Sequence, residues 1–203
     1  MNIRDEPFIW IHLAGIALFP ASIVLTLIGL GIGDSFPYFI ELPLLAAIAI
    51  LPILLMQLTR PFDIFSVLVF SLKPKNLTDQ QRQILSFFKT LKHKAMSVIA
   101  AIFMLLVLWS IYRLSPLVIG IVAFLPQWRI LGLAIAATSF FFSNLFLQVP
   151  LSVLQVLSLK KTKLTHLEPY LLEKIGRDFT VPGIKVSKIL WFLESPSKVD
   201  KTA

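Results

Sequence analysis

The chain reads as an all-α integral membrane protein: four transmembrane helices, short interfacial or re-entrant helices and an amphipathic, basic tail. Three observations predict that class. Of the 203 residues, 57% are apolar and only 15% are charged, with a mean hydropathy of +0.83, far from the balance of a water-soluble domain. Four stretches without Asp, Glu, Lys or Arg approach or exceed the roughly 20 residues that a helix needs to cross a hydrocarbon core about 30 Å thick. The remaining charge is lopsided, 19 Lys and Arg against 11 Asp and Glu.

The first stretch, 8–33, carries His12 as its one strongly polar residue and ends in Gly29 to Asp34, GLGIGD. A glycine-rich phosphate cradle needs a strand before it and a helix after it, so this string is a turn closing a membrane helix. A signal peptide is the competing reading of the stretch. The run is too long for one, Asp5 and Glu6 stand where positive charge should dominate, and no small-x-small cleavage site follows, so a retained helix is expected. The second span, 42–59, follows a short turn, with Glu41 at its start expected to reach water at the hairpin mouth. Pro61 to Leu72 is too short to cross and carries Asp63, which suits an interfacial or re-entrant piece.

Thr78 to Lys92 opens with a Thr78-x-x-Gln81 capping box and puts Ile84, Leu85, Phe88 and Leu91 on one helical face. That is an amphipathic helix within the loop 60–94, leading to the third span, 95–112. Leu114 to Leu125, bracketed by prolines and arginines, reads as a short helix at the opposite surface. The fourth span, 130–159, exceeds one bilayer thickness and must tilt, kink or project, with Pro150 as the place for a bend. These spans make a membrane domain over 1–159. In the basic tail, 160–203, Leu164, Leu167, Leu171, Leu172, Ile175 and Phe179 recur at helical spacing, with Gly176 near the last turn. Ile184 to Leu193 alternates weakly and contains Trp191-Phe192, enough to touch the interface, and Ser195 to Ala203 reads as disordered.

The charge resolves into sidedness. Seventeen of the 19 Lys and Arg fall in the N-terminus, the 60–94 loop and the tail, leaving Arg113 and Arg129 on the other face. Positive-inside asymmetry then places both termini in the cytoplasm, facing anionic headgroups, and explains the basic balance without nucleic acid.

Chemistry-bearing residues are few. With no cysteine there is no disulfide, thiolate nucleophile, iron–sulfur cluster or cysteine zinc site. No GxSxG, HExxH, Walker lysine or paired-carboxylate arrangement occurs, so an enzyme is not expected. The histidines lack helical metal-site spacing. His93 and His166 fall in basic segments and are expected in water. His12 stands in an apolar run, where an imidazole either ligates a chlorophyll or haem or hydrogen-bonds to a neighbouring helix or lipid. Asn144, Gln148 and Gln155 recur at four and seven residues on one face of the fourth span, beside the carbonyl freed by Pro150. Such a polar face hydrogen-bonds across its own bundle or lines a ligand, quinone or ion path. Gly132, Ala136, Ser139 and Ser143 supply small residues for close packing beside it.

Three stretches, RDEPFIWIHLAG from Arg4 to Gly15, QLTRPFDIFSVLVFSLKP from Gln57 to Pro74 and LPQWRILGLAIAATSFFFSNLFLQVPLSVLQVL from Leu125 to Leu157, resemble the cyanobacterial low-complexity tail membrane proteins. The similarity covers roughly residues 1 to 158. The segment after Lys160 is not the repetitive tail that the family's name describes. The resemblance implies a photosynthetic bacterium and its thylakoid or plasma membrane, and carries over no functional residues. Three functions stay open: a non-enzymatic scaffold or accessory component of a larger membrane complex, with a membrane-protein partner or self-association; a pigment- or quinone-binding protein; and a subunit of an oligomeric channel or transporter.

Overall fold

The computed structural model describes residues 3–67, 69–159 and 167–187. The expectations for Leu164, His166, Trp191-Phe192 and Ser195 to Ala203 lie outside the described residues. Four helices long and apolar enough to cross a membrane run over Pro7–Leu30, Tyr38–Thr59, Leu91–Val122 and Arg129–Leu157.

The first consists of α1 (Pro7–Ala14) and α2 (Leu18–Leu30) joined by a 3-10 turn at Gly15–Ala17. Gly31 caps α2 and Gly33 turns with φ +72°, as the GLGIGD string requires. The second consists of α3 (Tyr38–Ala49) and α4 (Leu51–Thr59), with a break at Ile50 just before Pro52. It starts before residue 42 because Glu41 does not stop it: the carboxylate is paired rather than solvated, as described below.

Pro61 to Leu72 departs from expectation. It forms no interfacial or re-entrant helix but two short strands, β1 (Ser66–Val67) and β2 (Phe70–Leu72). They pair antiparallel, and β2 continues in parallel onto a third strand from the tail, with Phe70 opposite Ile184 and Leu72 opposite Val186. A window of twelve residues cannot show a partner more than a hundred positions away, and β-branched and aromatic residues there fit a pleated, half-buried surface.

Next, α5 (Asp79–Phe88) carries the expected capping box: Thr78 Oγ1 accepts from the Gln81 N–H, and Gln81 Oε1 accepts from the Thr78 N–H at 2.9 Å. Its buried face is Ile84, Leu85, Phe87 and Phe88, whereas Leu91 is 82% exposed and belongs to the next helix. Helix α6 (Leu91–Leu114) passes through a 3-10 turn at Ser115–Val118 into α7 (Ile119–Val122), so the short helix expected near 114–125 is the end of the third span. Helix α8 (Arg129–Leu157) is continuous through Pro150. In the tail, α9 (Leu172–Asp178) includes Gly176 rather than stopping at it, and β3 (Ile184–Val186) completes the sheet.

The bundle is organised on α8, and its most extensive pairing is with α2. At their crossing, a Cβ added to Gly29 would lie 2.7 Å from the Ala136 amide nitrogen, and one added to Gly132 would lie 2.6 Å from the Gly29 carbonyl oxygen. Backbone therefore meets backbone, as small residues permit in a membrane. Met104, Leu108, Ala136 and Phe140 fill the core beside this crossing, while Ile99, Ile102, Leu106 and Trp109 of α6 face outward, as a hydrocarbon solvent requires.

A second core lies at one end of the bundle. Phe8 and Ile9 of α1, Ile64 and Phe65 of the loop, Leu85 and Phe88 of α5, Val153 and Val156 of α8, and Ile175 and Phe179 of the tail make one buried cluster. Each fully buried aromatic or aliphatic side chain there contributes about 1.5–3 kcal/mol where the alternative is water. N-terminus, loop and described tail thus fold together into a cap on the bundle.

Candidate functional site

The polar residues of the bundle fall into three buried groups at different depths. Farthest from the cap, Arg129 at the start of α8 meets Glu41 of α3 side-on. Nε donates to Glu41 Oε1 at 2.6 Å, Nη2 pairs with Oε2, and Nη1 donates to the carbonyls of Leu30 and Ile32 at 2.8 and 3.0 Å. Glu41 also accepts from Tyr112 Oη and from the Phe36 N–H, both at 2.8 Å. A bidentate guanidinium–carboxylate pair with both partners buried ties together the start of α3, the end of α2, the end of α6 and the start of α8. Glu41 therefore does not reach water. Burial of a charge demands this pairing, which the sequence alone does not show: it offers only two opposite charges at the ends of separate apolar runs.

In the middle of the bundle, Asn144 Nδ2 donates to the Ala49 carbonyl at 3.0 Å, where the second span breaks between α3 and α4. Gln148 Nε2 donates to Asn144 Oδ1 at 2.9 Å, and Ser152 Oγ donates to the Gln148 carbonyl at 2.8 Å. Asn144 and Gln148 are thus brought together as read, but the third buried member is Ser152. Gln155 is partly exposed, near the end of α8, and lines a groove on the outside of the bundle. Near the cap, Gln57 of α4 and His93 of α6 are buried side by side, with His93 Nε2 at 3.3 Å from Gln57 Oε1. His93 is 0% exposed rather than solvated. The third span begins before its uncharged stretch, and the ring packs against Phe88 with centroids 5.1 Å apart. Within the spans, among the described residues, Gln57 Nε2, His93 Nδ1, Ser143 Oγ and Gln148 Oε1 are buried without a partner, as are Ser71 Oγ and Arg82 Nε in the cap.

His12 sits where α1 meets the cap. Its Nδ1 lies 2.8 Å from the Phe8 carbonyl oxygen, and its edge meets Phe62. With Phe146, Val149 and Pro150 it lines a cavity of about 190 Å³.

In the cap, Asp63 is buried and accepts from the Phe65 N–H at 2.9 Å. Burial pushes its carboxyl up to about 6, against the smaller opposing effect of that bond. Burial likewise raises the carboxyl of Glu6, which accepts from Gln81 Nε2 at 3.0 Å. Lys89, depressed by burial, donates to the Thr59 carbonyl at 2.9 Å and stands 5.1 Å from the Phe179 ring centroid. Among the described residues no three His, Asp or Glu gather for a metal ion.

Four apolar spans, an interior stitched by buried side-chain hydrogen bonds and a folded cap define a polytopic helical membrane protein. The low-complexity tail membrane protein-like family model matches residues 5–191, and the chain belongs to that family. The match runs past Lys160 through most of the tail, so the likeness does not stop near residue 158. No curated protein and no solved structure matches the chain.

Proposed function

We propose that the protein is a non-enzymatic scaffold or accessory component of a larger membrane complex, a photosynthetic one in a cyanobacterial thylakoid or plasma membrane, with the cap and both termini in the cytoplasm. The observation that supports this reading is the cap. It is a folded platform at the end of the bundle that carries the positive charge, with Arg4, Arg60, Lys75, Lys174, Arg177 and Lys185 exposed on it, suited to anionic headgroups and to an acidic partner surface. By contrast, Asn144 and Gln148 bond to each other and to Ala49 rather than lining a path.

Pigment or quinone binding has weaker support. His12 Nδ1 is engaged by the Phe8 carbonyl of its own helix, and the 190 Å³ cavity beside it is below the roughly 300–1,000 Å³ of small-molecule sites.

Purification from the native membrane in mild detergent, with mass spectrometry and an absorption spectrum on the same sample, tests the proposal. A colourless preparation with a stoichiometric protein partner is expected. A lone monomer overturns the scaffold reading, and a bound pigment or extractable quinone favours the alternative. The cysteine-free chain also permits a clean test of sidedness: in isolated membranes sealed with the cytoplasmic face outward, an impermeant maleimide should label Lys174→Cys and spare Gln127→Cys until the membrane is opened.

A further inference from the structure

A groove of about 410 Å³ runs along the outside of the bundle where α6 begins and α8 ends, lined by Met96, Leu151 and Leu154 together with Lys92, Gln155 and Ser158. Its volume lies within the roughly 300–1,000 Å³ typical of small-molecule sites. Lys92 is the second residue of α6 and Ser158 caps α8, so the polar residues gather towards the helix ends and Met96, Leu151 and Leu154 lie further into the spans. Phe87 of the cap adds one wall. An apolar trough under a polar rim, at the end of two membrane spans, has the profile of a lipid at its headgroup–acyl boundary.

Charge decides which lipid. The first turn of α6 holds Lys92, His93 and Lys94 and no acidic residue, at the positive end of a 24-residue helix, where cations are unfavourable. Lys92 is exposed and forms no ion pair with a described residue. An anion at this point would offset both the dipole and the unpaired ammonium. Two other outward grooves, of about 390 Å³ between α3 and α8 and about 340 Å³ between the second span and α6, carry no cation; the first has only Glu41, already paired with Arg129, and the second is wholly apolar.

We propose that the α6–α8 groove holds one acyl chain of an anionic phospholipid, whose phosphate sits against Lys92 and the first turn of α6. This site goes beyond the scaffold reading and needs no protein partner, so it is tested on the purified chain alone. Native mass spectrometry in detergent compares retention of phosphatidylglycerol with that of phosphatidylcholine of the same acyl chains. Lys92→Glu reverses the charge at the site and is expected to lower phosphatidylglycerol retention at least about tenfold while leaving phosphatidylcholine unchanged. Met96→Trp fills the trough and is expected to lower both. Arg113→Glu makes the same change of charge at the other end of α6, away from the groove, and is expected to behave as the wild type. Wild-type retention in Lys92→Glu, or an equal loss in Arg113→Glu, overturns the proposal. If Met96→Trp does not melt as a folded protein, the two charge variants decide alone.

Discussion

Arg129 and Glu41 show how single residues govern this bundle. Removing one partner of a buried, hydrogen-bonded ion pair leaves an uncompensated charge and costs about 3–5 kcal/mol, whereas replacing both with apolar residues of similar volume is often near neutral. Glu41→Ala is therefore expected to lower denaturant stability in micelles by that amount, with the double variant Glu41→Leu/Arg129→Met recovering most of the loss; equal losses in both would mean that the pair does not act as a unit. Asp63 carries a pH dependence of definite sign. Its folded carboxyl is held at about 6 against an ordinary 3.8, so between those values the folded cap binds more protons than the unfolded chain, and stability falls as pH rises from about 4 to 6. Above that window the buried charge costs about 3 kcal/mol. Asp63→Asn keeps an acceptor for the Phe65 N–H and is expected to flatten the slope and stabilise the cap at neutral pH, read by urea melts across the window. The apolar stretches made the burial of Asn144 and Gln148 readable. That of Glu41 and His93 was not, because burial at the end of a span depends on which neighbours close over it.

At the scale of elements, the α2–α8 crossing depends on two glycines. Replacing Gly132 with Ala ordinarily favours a helix by about 1 kcal/mol, but the new Cβ would meet the Gly29 and Ile32 carbonyl oxygens at 2.6 and 2.8 Å. Backbone on both sides cannot yield as a flexible side chain would, so Gly132→Ala is expected to destabilise by about 1–3 kcal/mol. Gly120→Ala, with open space where its Cβ would stand, is the control and is expected to be neutral or mildly stabilising; both are read as melting temperatures in detergent. Helix α5 could be read from its capping box and its apolar face, because both signals are local. The pairing of β2 with β3 could not, since its register is set across the whole length of the chain. Its tightest point is Gly183, with φ +79°, where any Cβ would collide with Val69.

For the whole molecule, the cap is a joint product of segments far apart in sequence. Phe179 and Ile175 from the tail are fully buried against loop and bundle, and the Arg60 guanidinium donates to the carbonyls of Gly176 and Phe179. A chain ended after Leu159 is expected to keep four spans yet lose the cap, exposing Phe65 and Phe88 and becoming sensitive to protease within 60–90 while the full chain resists. Equal resistance would show that the loop folds without the tail. The spans, the turn at GLGIGD and the capped α5 were determined by the sequence alone, because hydrocarbon length, glycine conformation and helix capping act within a few turns of chain. Only the tertiary structure decided the Glu41–Arg129 clamp, the burial of His93, the exchange of Gln155 for Ser152 in the polar line and the sheet that joins loop to tail. Each depends on which distant surfaces meet, and desolvation and pairing energies take their sign from that meeting.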